Sequence, residues 1–204
     1  NEIVSIKPQK GNQTRFNIKF KSGEVIGISM NVLISHNLES GKKISFEEYE
    51  KIKTDEEYQF VKTKALNFLS YRPRSKKEVE TSLLKKGFEK ESISLVLEEL
   101  TQKGYLDDKE FARTYASHLI KNKMLGRVAV LNRFFIHDIE QDSLNQILND
   151  IYDVHPPEDL IRRIAKKKKF KANDSNNKNK KLIDHLKRKG FTWTEISGSL
   201  ENTF

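Results

Sequence analysis

"LLKKGF" at residues 83–88 returns as "LKRKGF" at residues 186–191. In both copies a run of good helix formers ends at Gly, and Phe follows. Gly just beyond a helix adopts the left-handed conformation that a Cβ resists. Its turned-back amides satisfy orphan carbonyls, and the next apolar residue packs on the last turn. The pattern reads as a helix stop, setting Phe88 on Leu83 and Phe191 on Leu186, with lysines suited to the negative end of the helix dipole. Gly104 reads as a third stop, with Tyr105 expected to fold back on Leu100.

The recurrence has a period. Val79, Leu83, Gly87, Phe88, Ile93 and Leu97 align with Leu182, Leu186, Gly190, Phe191, Ile196 and Leu200 at an offset of 103. Half of that offset finds a middle copy: Val130, Phe134, Asp138, Ile139, Leu144 and Leu148, at 51. There Asp138 replaces Gly, and Asp tolerates the left-handed region better than most residues. Units of about fifty residues point to a repeat array.

Each unit reads as three short helices. Tyr58, Val61, Ala65 and Leu69 share a face of a helix running to about Tyr71, which Pro73 breaks. "SKKE" at 75–78, "DDKE" at 107–110 and "TWTE" at 192–195 have capping-box form. Ile93, Val96, Leu97 and Leu100 make the stripe of an amphipathic third helix. The second unit offers Phe111, Ala112, Tyr115 and Leu119, then Leu131, Phe134 and Phe135, then Leu144, Ile147, Leu148 and Ile151. The third opens at "PPEDLIRRIAKKKKF" with Leu160, Ile161, Ile164 and Ala165, Pro being well placed at a helix start. All of these stripes are expected to be core.

The first fifty-odd residues differ. "RFNIKF" alternates, with Phe16, Ile18 and Phe20 on one face. Ser22 and Gly23 make a turn, and "EVIGISM" keeps Ile26, Ile28 and Met30 in phase. "EIVSIK" supplies a third strand, and "MNVLISHN" and "FEEYEKI" read as short helices covering the sheet, since a lone hairpin is marginal in water. The expected chain is mainly α. A hairpin-containing α/β cap over residues 1–54 precedes three-helix repeats at 55–105, 106–154 and 155–204.

The net charge of +9 is unevenly placed: from Arg162 to Lys189 stand thirteen Lys or Arg against two Asp, so the remainder is slightly acidic. Such a block is an electrostatic footprint for phosphate or for an acidic protein groove; as a solvated face it would bind neither. Nothing in the sequence gives base readout, and the sole Trp, Trp193, is expected in the core rather than as a stacking platform. With no Cys, disulfides, thiol nucleophiles and cysteine metal sites are excluded. The five histidines lack metal-ligand spacing, and no glycine-rich phosphate loop occurs. Asp107 and Asp108 read as helix caps rather than an acid/base couple. No stretch reaches the length of a membrane span and no apolar signal region opens the chain, so a cytoplasmic non-enzyme without cofactor is expected.

"YRPRSKKEVETSLLKKGF" followed by "LEELTQKGYLDDKEFARTYA" resembles the RecX family of bacterial regulatory proteins. The likeness spans nearly the whole chain and is strongest over residues 65–116. Two departures concern the middle unit, which has a single Gly126 where the family has a fuller Gly-rich turn, and Asp138 where it has Gly. The loop "KKKKFKANDSNNKNKK" is also longer and more basic than the family's. The resemblance implies an elongated, curved array of tandem repeats. It implies a monomeric, non-enzymatic modulator that lies in the groove of the RecA filament on single-stranded DNA, limiting its growth, ATPase, strand-exchange and coprotease activities. Repair, recombination and the SOS response are the setting it implies. On matching positions the contact candidates are Arg72, Arg74, Lys76, Lys77, Arg113, Arg127 and Arg133. The basic block adds Lys166, Lys167, Lys168 and Lys169. Two other readings stand beside this one: a stand-alone helical DNA-binding protein using the C-terminal block, for which the helix–turn–helix look of residues 75–103 speaks, and a metal-dependent nuclease, for which no ligand set exists.

Overall fold

In β1 (Ile3–Gln9), β2 (Asn12–Phe20) and β3 (Val25–Ser29), alternating apolar residues form an antiparallel sheet in the order β1-β2-β3. The computed structural model describes residues 1–168 and 176–201. Ile18 pairs with Ile6 on one side and Ile26 on the other, so the expected register and third strand are present. The tight turn at Gly23 has φ +90°, where only glycine is comfortable. Ile3, Ile18, Phe20 and Ile28 bury one face against Val32, Leu38, Ile44 and Ile52. Met30 leaves that phase: it is 40% exposed and opens the short helix α1 (Met30–Ser35).

The two helices expected around residue 54 are one. α2 (Phe46–Leu69) runs unbroken for 24 residues, started by a capping box in which Ser45 and Glu48 satisfy each other's backbone amides. No Gly or Pro interrupts it. Ile52 lies in the cap core, while Val61 and Ala65 lie in the next core along. The boundary expected after residue 54 therefore falls inside a helix. α3 (Lys76–Leu84) and α4 (Lys90–Gln102) complete the first triplet, burying Val79, Leu83, Ile93, Val96, Leu97 and Leu100.

The second triplet is α5 (Asp108–Ser117), α6 (Arg127–Phe134) and α7 (Gln141–Val154), with a π-helical turn, His118–Asn122, prolonging α5. The third is α8 (Pro157–Lys167), α9 (Asn176–Arg188) and α10 (Trp193–Glu201). The chain divides into two compact units. The first comprises Asn1–Pro73 and Val79–Leu106; the second comprises Arg74–Glu78 and the chain from Asp107 onward. The second and third triplets share one continuous core running from Phe111 to Ile196.

The stops behave as the repeat predicts. Gly87, Gly104 and Gly190 have φ of +83°, +74° and +86°, and Asp138 sits at +54°. The Tyr105 and Phe191 amides reach back to the carbonyls of Leu100 and Leu186 at 2.9 and 3.2 Å, the 6→1 bond of this motif. Two side chains depart from expectation. Tyr105 is 61% exposed and Leu106 takes the buried place beside Leu100. Phe135 is 89% exposed, because α6 spaces its core residues Val130 and Phe134 four apart and the next position turns outward.

Candidate nucleic-acid interface

The start of α3 carries the first group of contact candidates, and there several are engaged in folding. Ser75 is fully buried; its hydroxyl accepts from the Glu78 amide at 3.2 Å and lies 2.9 Å from His137 Nδ1. His137 is itself buried among the rings of Phe111, Tyr115 and Phe134. Arg74, half-buried, pairs with Glu78 at 2.5 Å. The Lys76 amide donates to Asp108 at 2.8 Å, while Asp107 accepts from the Lys109 and Glu110 amides at 2.9 Å. Both carboxylates thus cap helices. Arg72 is exposed and donates to the Pro73 carbonyl; Lys76 and Lys77 are exposed. Arg113 and Arg133 are exposed on α5 and α6, Arg113 lying 4.0 Å from Glu110. Arg127 is tied down, donating to Asn149 at 2.7 Å and Asn145 at 3.2 Å, which clamps the start of α6 to α7.

The basic block gains partners in three dimensions. α9 ends at the Gly190 stop, and there the chain meets the turn between the π-helical segment and α6. The Gly126 amide donates to the Lys189 carbonyl at 2.8 Å, and Lys189 Nζ donates to the Lys123 carbonyl at 2.6 Å. Tyr152 holds the same turn through its hydroxyl on the Leu125 carbonyl at 2.8 Å. A Cβ on Gly126 would stand 2.4 Å from the Gly190 oxygen, and one on Gly190 only 2.3 Å from the Ala129 nitrogen. These two glycines let backbones touch.

That contact brings Lys123 to the end of α9, beside the end of α8. Lys189 is held below the usual lysine pKa first by burial and then by the charges of Lys167, Lys168 and Lys123. His185 is likewise lowered by burial, then by Lys168, Lys189 and Arg188. Mutual repulsion of this kind marks a concentrated positive field, which attracts polyanions. Lys166, Lys167, Lys168 and Arg188 are exposed. Lys169 lies outside the described residues. Trp193, expected in the core, is 58% exposed at the first position of α10, with Lys187 Nζ 5.4 Å from its ring centre.

Sequence reasoning missed Lys123, which stands well before the block, and the exposed indole. The signal that could have found Lys123 was Gly126, since a glycine whose backbone angles any residue could adopt marks close backbone approach. Among the described residues, no group of three or more His, Asp or Glu could hold a metal ion, and no helix is long and apolar enough to cross a membrane.

Comparison with known proteins places the chain in a family. The model of the first three-helix domain of RecX matches residues 62–100, spanning most of the first triplet. Regulatory protein RecX of Bacillus licheniformis is 31% identical over 202 residues, covering 98% of this chain and 77% of that protein. The Clostridium tetani protein of the same name is 27% identical, covering 98% and 93%. A crystal structure of regulatory protein RecX matches with a TM-score of 0.73 at 19% identity, over 96% of this chain and 97% of that one. RecX from Lactobacillus salivarius matches at 0.57 and 22% identity, over 72% and 96%. The two structures share the fold, and the 31% identity to the Bacillus licheniformis protein over 98% of this chain goes further: the chain belongs to the RecX family of regulatory proteins.

Proposed function

We propose that this chain is a non-enzymatic regulator of the RecA recombinase, binding the filament on single-stranded DNA and limiting its growth, ATP hydrolysis, strand exchange and coprotease action. Family membership supports the regulatory role. The observation that carries the DNA side of the reading is the convergence of Lys123, Lys167, Lys168, Arg188 and Lys189 from three separate segments. A filament groove that holds DNA presents phosphate to such a face, and phosphate contacts position a protein without reading sequence. The repeat array adds surface on which neighbouring filament subunits can be spanned. Arg72, Lys76, Lys77, Arg113 and Arg133 are exposed contact candidates elsewhere on the chain.

The test is RecA ATPase on single-stranded DNA with the protein added well below one molecule per RecA subunit. Suppression at such ratios is expected, since each bound molecule halts or spans several subunits. An effect that needs a full equivalent, or none, would overturn filament regulation. The same basic face favours a second reading, a DNA-binding protein acting without RecA. Affinity for naked single strands equal to that for the filament would select it.

A further inference from the structure

We propose that Trp193 is a stacking platform for an unpaired base, so that the basic face of the second unit takes single-stranded nucleic acid in preference to duplex. The inference rests on the DNA reading of that face and sharpens it from charge to strand type. Its starting point is that the fold does not need an indole there. The three equivalent helices, α4, α7 and α10, begin at Lys90, Gln141 and Trp193. All three first residues are exposed. Lysine and glutamine serve that position in the first two triplets, while the third leaves a ring 58% open to solvent.

The surroundings of the ring select among its uses. Phe191 and Ile196, its apolar neighbours along the chain, are both buried in the core. The indole thus stands without an exposed apolar patch in its own segment, which a membrane or a protein groove would want. What accompanies it is charge: Lys187 lies 5.4 Å from the ring centre, Arg188 ends α9 and Lys189 follows directly after it. A cation beside an aromatic face, in a positive field, is the combination that binds single strands, the phosphates on the cations and a base on the ring. A duplex keeps its base faces stacked on one another, so it can use the lysines and not the indole.

Trp193 is the only tryptophan of the chain, so intrinsic emission reports this site alone. The full chain is titrated with an oligo(dT) strand, a duplex of equal length, inorganic polyphosphate, and vesicles of phosphatidylglycerol and phosphatidylcholine. Anisotropy of labelled oligonucleotide follows binding independently. Quenching by the single strand, with little by duplex or polyphosphate, is expected. Trp193→Ala should weaken single-strand binding by about tenfold and leave duplex and polyphosphate binding unchanged, while Trp193→Phe restores part of the loss. Circular dichroism checks the fold of both variants. Single-strand binding with neither quenching nor loss in Trp193→Ala overturns the stacking role and leaves the charge reading intact. No binding to any polyanion overturns both. A blue-shifted emission on vesicles without response to the single strand would assign the indole to a membrane surface and overturn the proposal.

Discussion

Gly87 and Gly190 occupy the same place in the repeat and share a positive φ, +83° and +86°, yet their surroundings differ. A Cβ on Gly87 meets nothing within 4 Å, whereas one on Gly190 meets the Ala129 backbone nitrogen at 2.3 Å. Gly87→Ala should therefore cost only the left-handed penalty, about 1 kcal/mol. Gly190→Ala should cost that and the overpacking of two backbones, roughly 3 kcal/mol in all. Gly126→Ala, whose φ of −78° suits any residue, should show the packing cost alone. Urea unfolding of the three variants measures the differences; equal losses at Gly87 and Gly190 would show that the two backbones do not touch in solution. A second residue-scale test concerns Glu99, which accepts from Lys103 at 2.5 Å, Lys62 at 2.7 Å and the Tyr58 hydroxyl. Those donors, Lys103 first, pull its carboxyl down to about 2 from the ordinary glutamate value of 4.5. A depressed folded pKa gives stability that is complete above 4.5 and lost as pH falls towards 2. Thermal melts should thus find Glu99→Gln less stable than the parent at neutral pH, with the gap closing between those values. Tyr58, raised to about 12 by burial and then by Glu99, carries the opposite sign and loses its contribution as pH climbs from 10 to 12. A gap that stays constant through the acid range would rule out Glu99 as the titrating group.

At the scale of elements, caps and stops were the most readable features, because each depends on two or three neighbouring side chains. Thr192 and Glu195 form the reciprocal box expected of "TWTE", with bonds of 2.6 and 3.3 Å. The sequence divides α2 into two helices for a physical reason: the stretch from Lys53 to Glu57 has no apolar residue, so the periodic stripe stops there. The gap is where one helix passes from the cap core, at Ile52, to the repeat core, at Val61. The "FF" of 134–135 was ambiguous in the opposite sense, since both residues suit a core and only the turn of α6 decides which enters it. Thr54→Pro tests the continuity of α2. Thr54 is exposed, so proline between two separate helices would be harmless there; inside one helix it should cost about 3 kcal/mol or more and lower the melting temperature sharply. A silent substitution would restore the two-helix reading.

For the molecule as a whole, composition revealed that charge is concentrated but not where in space it converges. Lys123 belongs to the same face as Lys167 and Lys168 only because Gly126 and Gly190 let two backbones meet, a contact that no linear count of charges contains. This yields a prediction on which the linear and spatial readings disagree. Each phosphate neutralised on a single strand contributes about −0.7 to the slope of log affinity against log salt. Five contacts would give roughly −3.5, about a hundredfold loss between 50 and 200 mM salt. Lys123→Gln and Lys168→Gln should each flatten that slope by about 0.7, and with Arg188→Gln the three together by about 2. Lys189 is left intact because its ammonium holds the Lys123 carbonyl at 2.6 Å, and its loss would disturb the turn. Melting temperatures should hardly change, since exposed charges contribute little to stability. If only the block mattered, Lys123→Gln would leave the slope untouched while Lys168→Gln flattened it. Salt titrations of labelled oligonucleotide binding on the parent and the three single variants separate these outcomes, and an inert Lys123 with an active Lys168 would return the phosphate-binding face to α8 and α9 alone.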